Sequence, residues 1–427
     1  MVDNQIELFG KAIRKTWKKI FKIFKKRKVK LLQLPIEHQI NDEEAAYRWV
    51  VEQYQRKLWV TSRSDIATLV GKYKLLVRVE NAPSSLLQQE DFQSMINFLN
   101  IRLGIFTERV VKKNREIILR RIEKSQNPSL TSELIQFWWT NSGVSPELVS
   151  LVKAFAKSAN TERCQLLSSA ILEEAGFRKD ATKILSQYAE HLEDKLNQYQ
   201  YLGLYALAYD YGLVERTPKI ELGKKLFQRT LDDQSKVSEI ISDANSIAIV
   251  GNDPSILGSG MGKLIDSKEC VIRFNNFSTE KQFEIDSGSK TNFWAKAPGF
   301  DDIRRRSVKN FSGTIVCGGD VRSKSIRGLD ALSPIYDSAL LASYPHEYYV
   351  ELVKLLNAWP STGLCVIYWI YKIRGKISRK ELFGFNAFNN KNTGNERYFD
   401  DFSRNAPFYR HHWDKERVLI QRLTEEF

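Results

Sequence analysis

The stretch Ser246-Ile247-Ala248-Ile249-Val250-Gly251-Asn252-Asp253-Pro254 decides the fold class of this chain. A short apolar run rich in β-branched residues, closed by a glycine and a polar turn, is the pattern of a buried strand feeding a loop. The pattern recurs at 269–274, at 291–295 and at 313–317, the last ending on Gly318-Gly319. Helical or turn-rich stretches lie between. Strands alternating with helices predict an α/β domain with a largely parallel sheet. Ligands of such sheets bind beyond the carboxyl ends of the strands, so the polar clusters that follow each strand are the first places to look.

Upstream the grammar is different. From Asp42 to about Asp233 long periodic segments read as helices, interrupted at Asn81-Ala82-Pro83, Asn127-Pro128 and Ser142-Gly143-Val144. Helices are expected at 162–175, 180–197, 199–212 and 220–231, with Ala170, Ala175, Gly203, Ala206, Ala208 and Gly212 where such helices would touch. This resembles a tetratricopeptide-like array, but a regular repeat of about 34 residues is missing and an irregular bundle is the equal alternative. The expected organisation is a basic segment 1–35, an all-α helical domain 36–237 and an α/β domain 238–427. A length of 427 residues suits two or three domains.

The chain carries a net charge of +14, with a sequence pI near 9.4. The first 30 residues hold eleven basic side chains against two acids, so most of the excess sits there and the remainder is close to neutral. Within 5–28, Phe9, Ile13, Trp17, Ile20, Phe21 and Phe24 recur at helical spacing and lysines fill the other face. Such a helix suits an anionic membrane surface. Packing on the body or on a partner is the alternative, and no nucleic acid is expected. A hydrophobic content of 42% rules out wholesale disorder. No apolar run approaches the ~18 residues of a membrane span. The longest, 364–371, reads as a buried strand or helix. No signal peptide is evident. Cys164, Cys270, Cys317 and Cys365 lie far apart, which fits a reducing compartment, and five histidines leave little room for a metal cluster.

Three clusters carry candidate chemistry. The first is Val250-Gly251-Asn252-Asp253-Pro254 with Gly258-Ser259-Gly260-Met261-Gly262, where glycines let backbone N–H groups approach a phosphate. The second is Arg273-Phe274-Asn275-Asn276. The third is Asp286-Ser287-Gly288-Ser289-Lys290-Thr291, read as a tight turn. Neither the dinucleotide glycine spacing nor a Walker lysine is present.

These blocks, together with Ile265-Asp266-Ser267, resemble the large sialylmotif of glycosyltransferase family 29, the eukaryotic-type sialyltransferases. Pro360-Ser361-Thr362-Gly363, followed by an apolar segment and Leu382-Phe383-Gly384-Phe385, resembles the small sialylmotif. His411 and Glu416 match the very short H-x4-E motif. The resemblance covers residues 245–427. It implies a Rossmann-like GT-A-variant catalytic domain and an inverting transferase that uses a CMP-activated 2-keto sugar acid, either a sialic acid or Kdo, with no metal or other cofactor. It also implies that Gly251, Asn252 and Asn275 contact the CMP moiety, that Ser361, Thr362 and Gly363 line the donor site, and that His411 is the base. A histidine has a suitable pKa for that task near neutrality.

The sequence departs from the family at several points. Ile247 stands where vertebrate members have a cysteine, and Cys365 is not at the partner position, so the family disulfide is absent. Arg397-Tyr398-Phe399-Asp400 replaces a motif that begins with histidine, which puts Arg397 at the phosphate-contacting position. Arg273 is expected to be a structural ion-pair partner, Glu416 to support the last helix or orient the site, and Arg304-Arg305-Arg306 to form a solvated face. Ser361 and Thr362 also suit a helix cap after Pro360. A bacterial cytoplasmic enzyme at the inner face of the membrane is expected, acting on capsule or lipopolysaccharide glycans with CMP-Neu5Ac or CMP-Kdo as donor and a glycan or glycolipid as acceptor. The alternative is a non-catalytic scaffold whose helical domain gathers other glycan-assembly proteins around a vestigial transferase.

Overall fold

The computed structural model describes residue 40 and residues 42–124, 127–158, 161–298, 308–385 and 411–425. The sequence readings for the segment 5–28, for Arg304, Arg305 and Arg306, and for Arg397 concern residues outside that set. The chain falls into two compact units whose boundary in sequence lies between Leu99 and Asn100. None of the helices among the described residues is long and apolar enough to cross a membrane.

The first unit is helical. Helix Glu43–Gln55 starts at Asp42, whose carboxylate accepts a hydrogen bond from the Ala45 N–H at 2.6 Å. Helices Arg63–Lys72, Leu76–Glu80 and Ser84–Leu87 follow, and Glu90–Arg102 runs across the boundary. Ala46, Val50, Ile66, Leu69, Val70 and Phe92 are fully buried and form the core of this unit.

The second unit begins with helices whose limits follow local chemistry. Asn127 caps Pro128–Ser142 through the Leu130 N–H, with proline at the first helical position, and Gly143 at φ +72° ends it. Thr217 and Pro218 do the same for Pro218–Asp243. That helix was expected to stop near 231. It continues because the buried stripe Ile220, Gly223, Leu226, Thr230, Asp233, Val237 and Ile241 keeps helical spacing to the end. The opposite error occurs at 180–197. That span divides into Arg178–Leu185, a 3-10 segment Ser186–His191 with Tyr188 at φ −110°, and Leu192–Tyr199.

The sheet holds β1 (Ile247–Val250), β2 (Cys270–Phe274), β3 (Phe293–Lys296), β4 (Gly313–Val316), β5 (Leu341–Ser343) and β7 (Leu382–Phe383), all parallel, in the order β5-β4-β3-β2-β1-β7. Every residue of β1 to β5 is buried, as expected of a parallel sheet covered on both faces. A separate two-stranded parallel pair joins β6 (Ile377–Ser378) to β8 (Thr424–Glu425). The 364–371 run is the interior of helix Thr362–Arg374, with Leu364 to Ile370 all buried.

The β5 edge and the turn before it are covered by helix Pro218–Asp243. Arg229 donates to the carbonyls of Tyr336, Ser338 and Ala339. Asp233 accepts from the Leu341 N–H at 2.9 Å, and Gln234 donates to the Ser343 carbonyl at 3.0 Å. Backbone groups of an edge strand thereby find side-chain partners. The helical layer and the sheet belong to one packed unit, and the fold is α/β with a parallel six-stranded sheet beside many helices.

Candidate functional site

The site is built at the carboxyl ends of β1, β2 and β3. Gly251 follows β1 and donates to the Phe383 carbonyl at 2.7 Å. A Cβ on Gly251 would meet the Gly384 carbonyl oxygen at 2.2 Å, and Gly384 itself sits at φ +63°. The two glycines therefore allow the loops after β1 and β7 to touch, backbone to backbone. Phe385 follows them, edge-on to Phe274 with centroids 5.9 Å apart. A Cβ on Gly363 would meet the Phe385 ring at 3.2 Å, so this glycine makes room for an aromatic ring at the start of helix Thr362–Arg374.

Asn252 binds the second loop. Its Nδ2 donates to the carbonyls of Phe274 and Asn276 at 3.1 and 2.7 Å, while its buried Oδ1 accepts no hydrogen bond among the described residues. Asn275 has the left-handed dihedral φ +45°, which asparagine tolerates better than most residues. Its Oδ1 accepts from the Ala297 N–H at 2.8 Å, and its Nδ2 reaches Thr362 Oγ1 at 3.4 Å. Its carbonyl accepts from the Trp294 indole at 2.8 Å. Asn275 thus ties the ends of β2 and β3 to the first turn of helix Thr362–Arg374.

Ser361 caps that helix, its Oγ accepting from the Leu364 N–H at 3.2 Å. The N–H groups of Thr362 and Gly363 lie outside the helix's own hydrogen bonding. Together with the helix dipole they form a ready anion site. Behind the cap, Glu416 accepts from the Ser361 N–H at 2.8 Å and from the Ser361 hydroxyl at 2.5 Å. Glu416 is only 2% exposed. Burial pushes its carboxyl up to about 7, against the opposing pull of the two Ser361 hydrogen bonds.

His411 lies beside this pair. Its Nδ1 is 2.9 Å from the Trp359 carbonyl and 3.8 Å from Glu416 Oε1. A carbonyl only accepts, so Nδ1 carries a proton, and in the neutral ring Nε2 then holds the lone pair. His412 does something else: its Nδ1 accepts from the Lys415 N–H at 3.5 Å and caps helix Trp413–Leu423.

The glycine-rich loop was expected to offer N–H groups to a phosphate. In the structure the Gly258 and Gly260 N–H groups donate to the Asp286 carboxylate at 2.9 and 2.8 Å. These two bonds hold the Asp286 carboxyl below the usual carboxylate range. Asp286 and Ser287 close helix Lys281–Ser287, so the expected tight turn is a helix end that turns at Gly288. Asp266 accepts from the Ser289 and Lys290 N–H groups at 2.9 to 3.0 Å. A Cβ on Gly288 would meet Asp266 Oδ1 at 2.3 Å, and one on Gly262 the Glu284 carbonyl at 1.9 Å. Arg273, fully buried, donates to the carbonyls of Lys290 and Ser287 and to Thr291 Oγ1. These hydrogen bonds tie Arg273 to the backbone after Asp286 and to the Thr291 hydroxyl. Much of this block is architecture that fixes the loops after β1 and β2.

Gly251, Asn252, Asn275, Ser361, Thr362, Gly363, His411 and Glu416 are thus brought together. Arg273 lies to one side of them, and Arg397 is outside the described residues. Residues not singled out from the sequence include Trp359, whose indole donates to Asn141 Oδ1 at 3.0 Å, and Trp413, which meets the His411 ring. Their proximity to Ser361 and His411 in sequence was the available signal.

A model of glycosyltransferase family 29 (sialyltransferase) matches residues 190–310. The chain is 45% identical over 69 residues to beta-1,6-galactosyltransferase GALT29A of Arabidopsis thaliana, a stretch that covers 16% of this chain and 17% of that protein. Among solved structures, a mammalian sialyltransferase in complex with Gal-beta-1-3GalNAc-ortho-nitrophenol matches with 19% identity and a TM-score of 0.35, over 52% of this chain and 82% of that one. The sequence signature of glycosyltransferase family 29 lies in residues 190–310 of this chain.

Proposed function

We propose that this chain is an inverting, metal-independent glycosyltransferase that moves a 2-keto sugar acid from its CMP-linked donor to a glycan hydroxyl. The observation that carries the reading is the cap at Ser361: an anion site at a helix N-terminus, backed by Glu416, with His411 held beside it by the Trp359 carbonyl. In this reading the donor phosphate and sugar carboxylate lie at the Thr362 and Gly363 N–H groups, and the CMP moiety lies along Gly251, Asn252 and Asn275, with Arg397 on the phosphate. The acceptor oxygen attacks the anomeric carbon from the face opposite CMP. The bond to the phosphate oxygen breaks, CMP departs with the electron pair, and the acceptor proton passes to His411 Nε2. Donors fixed at the helix end stabilise the departing phosphate.

Sialic acid and Kdo share the carboxylate next to the anomeric carbon, and both remain candidate donors. Bacterial capsule or lipopolysaccharide glycans would be the acceptors, reached from the cytoplasmic face of the membrane through the basic segment 5–28. A second reading has one observation in its favour. The relative matched over 69 residues is a galactosyltransferase by name, which makes an activated galactose a rival donor.

A donor screen tests both. Purified full-length protein is incubated with CMP-Neu5Ac, CMP-Kdo and UDP-galactose separately, with and without EDTA and with a panel of glycan acceptors. Release of CMP that persists in EDTA is the expected result. Release of UDP alone would favour the galactosyl reading, and loss of CMP release in EDTA would overturn metal independence. No release from any donor would favour a non-catalytic scaffold.

A further inference from the structure

His411 stands between two tryptophans with opposite circumstances. On one side Trp359 presents its carbonyl to Nδ1 at 2.9 Å. Its indole is fixed, donating to Asn141 at 3.0 Å and packed against Phe106 with centroids 5.7 Å apart. On the other side Trp413 meets the imidazole at 5.2 Å between centroids, with the planes inclined by 61°. Trp413 is 46% exposed, and its indole N–H makes no hydrogen bond among the described residues. A single exposed tryptophan is ordinary on a protein surface. Its position against the candidate base gives it a role. Trp413 is the first residue of helix Trp413–Leu423, anchored on one side by the His412 cap and three residues later by buried Glu416. The indole therefore has a set place relative to His411 and remains about half exposed.

We propose that Trp413 is the platform of the acceptor subsite. An uncharged pyranose would lay its apolar C–H face on the indole and bring a ring hydroxyl to His411 Nε2. Flat aromatic rings suit such amphipathic guests because they offer large contact area and a polar handle. The inference deepens the transferase reading and rests on it.

The test uses full-length protein with 15N-labelled indole groups, titrated with methyl β-D-galactopyranoside and with methyl β-D-glucopyranoside. The Trp413 indole signal is identified by its loss in W413F. It should shift on addition of at least one glycoside. In transfer assays W413A and W413L should raise the acceptor KM by about tenfold, while the donor KM changes by less than about twofold. W413F should recover the acceptor KM to within about threefold of the parent. W413L keeps the apolar bulk and guards against a variant that fails to fold. A signal unmoved by both glycosides, or a W413L acceptor KM equal to the parent's, would overturn the subsite. If the parent protein turns over no donor, the transferase reading fails, and the indole titration alone then decides whether Trp413 binds a pyranose.

Discussion

Glu416 grips Ser361 twice, taking its backbone N–H at 2.8 Å and its hydroxyl at 2.5 Å. One carboxylate on the last helix thereby fixes the first turn of another, and lies 3.8 Å from the His411 Nδ1. The cap and the anion site share this anchor, and the candidate base stands beside it on the Trp359 carbonyl.

That anchor should make stability depend on pH. Burial raises the Glu416 carboxyl from 4.5 to about 7, so the folded protein holds a proton that the unfolded chain has already lost. The associated stability is fully present below about pH 4.5 and declines as pH rises through 7, by an amount on the order of 3 kcal/mol. Denaturant unfolding of Glu416→Gln across pH 4 to 8 should show that slope flattened. Glu416→Ala should lose about 1–3 kcal/mol near pH 4.5, because the Ser361 N–H is left without its acceptor, and that deficit should shrink as pH rises through 7. An E416Q slope identical to the parent's would show that another group titrates.

The adjacent histidines should separate cleanly. His411→Ala removes the candidate base, and turnover in the donor assay should fall by about 100- to 10,000-fold. His412→Ala removes only the cap of helix Trp413–Leu423, with an expected cost of about 0.5–1 kcal/mol in a denaturant titration and turnover within about threefold of the parent. Equal losses of turnover in both variants would deny His411 its special place.

Asn252 tests how far a motif residue is structural. Its amide holds two carbonyls of the loop after β2. Asn252→Asp would turn a donor into an acceptor facing those same carbonyls, and should cost roughly 2–4 kcal/mol in unfolding measurements. Asn252→Ala should cost about 1–3 kcal/mol. If Oδ1 also takes part in nucleotide binding, CMP affinity measured on folded Asn252→Ala protein should fall by about tenfold. Unchanged affinity with lowered stability would make Asn252 purely a loop clamp.

The parts legible in the sequence were those with strong local signals. β1 to β4 announce themselves as apolar runs closed by polar turns or glycines, and Asn127-Pro128 and Thr217-Pro218 mark helix starts by capping chemistry. β5 and β7 have three and two residues, too short for any periodicity to show. The break at Tyr188 has no proline or glycine to announce it. At the site, the spacing to Glu416 selected His411 over His412, and the structure separates the two by partner. The partner of the glycine loop was not legible, because small residues show only that a backbone N–H can be approached. Its acceptor, Asp286, lies 26 to 28 positions away in sequence.

Asp286 therefore supplies a decisive contrast. If the Gly258 and Gly260 N–H groups serve a phosphate, replacing Asp286 should leave the loop intact and alter donor affinity. If they serve the carboxylate, Asp286→Asn weakens both bonds and loosens the loop. The depressed Asp286 carboxyl adds a sign: its contribution is present above the unfolded value of 3.8 and is lost as pH falls through the folded one. Asp286→Asn should thus lower stability at neutral pH and narrow the difference from the parent toward pH 2. Hydrogen exchange at Gly258 and Gly260 should speed up in the variant without any donor present. Exchange at the parental rate, with weakened donor binding, would return the loop to the phosphate.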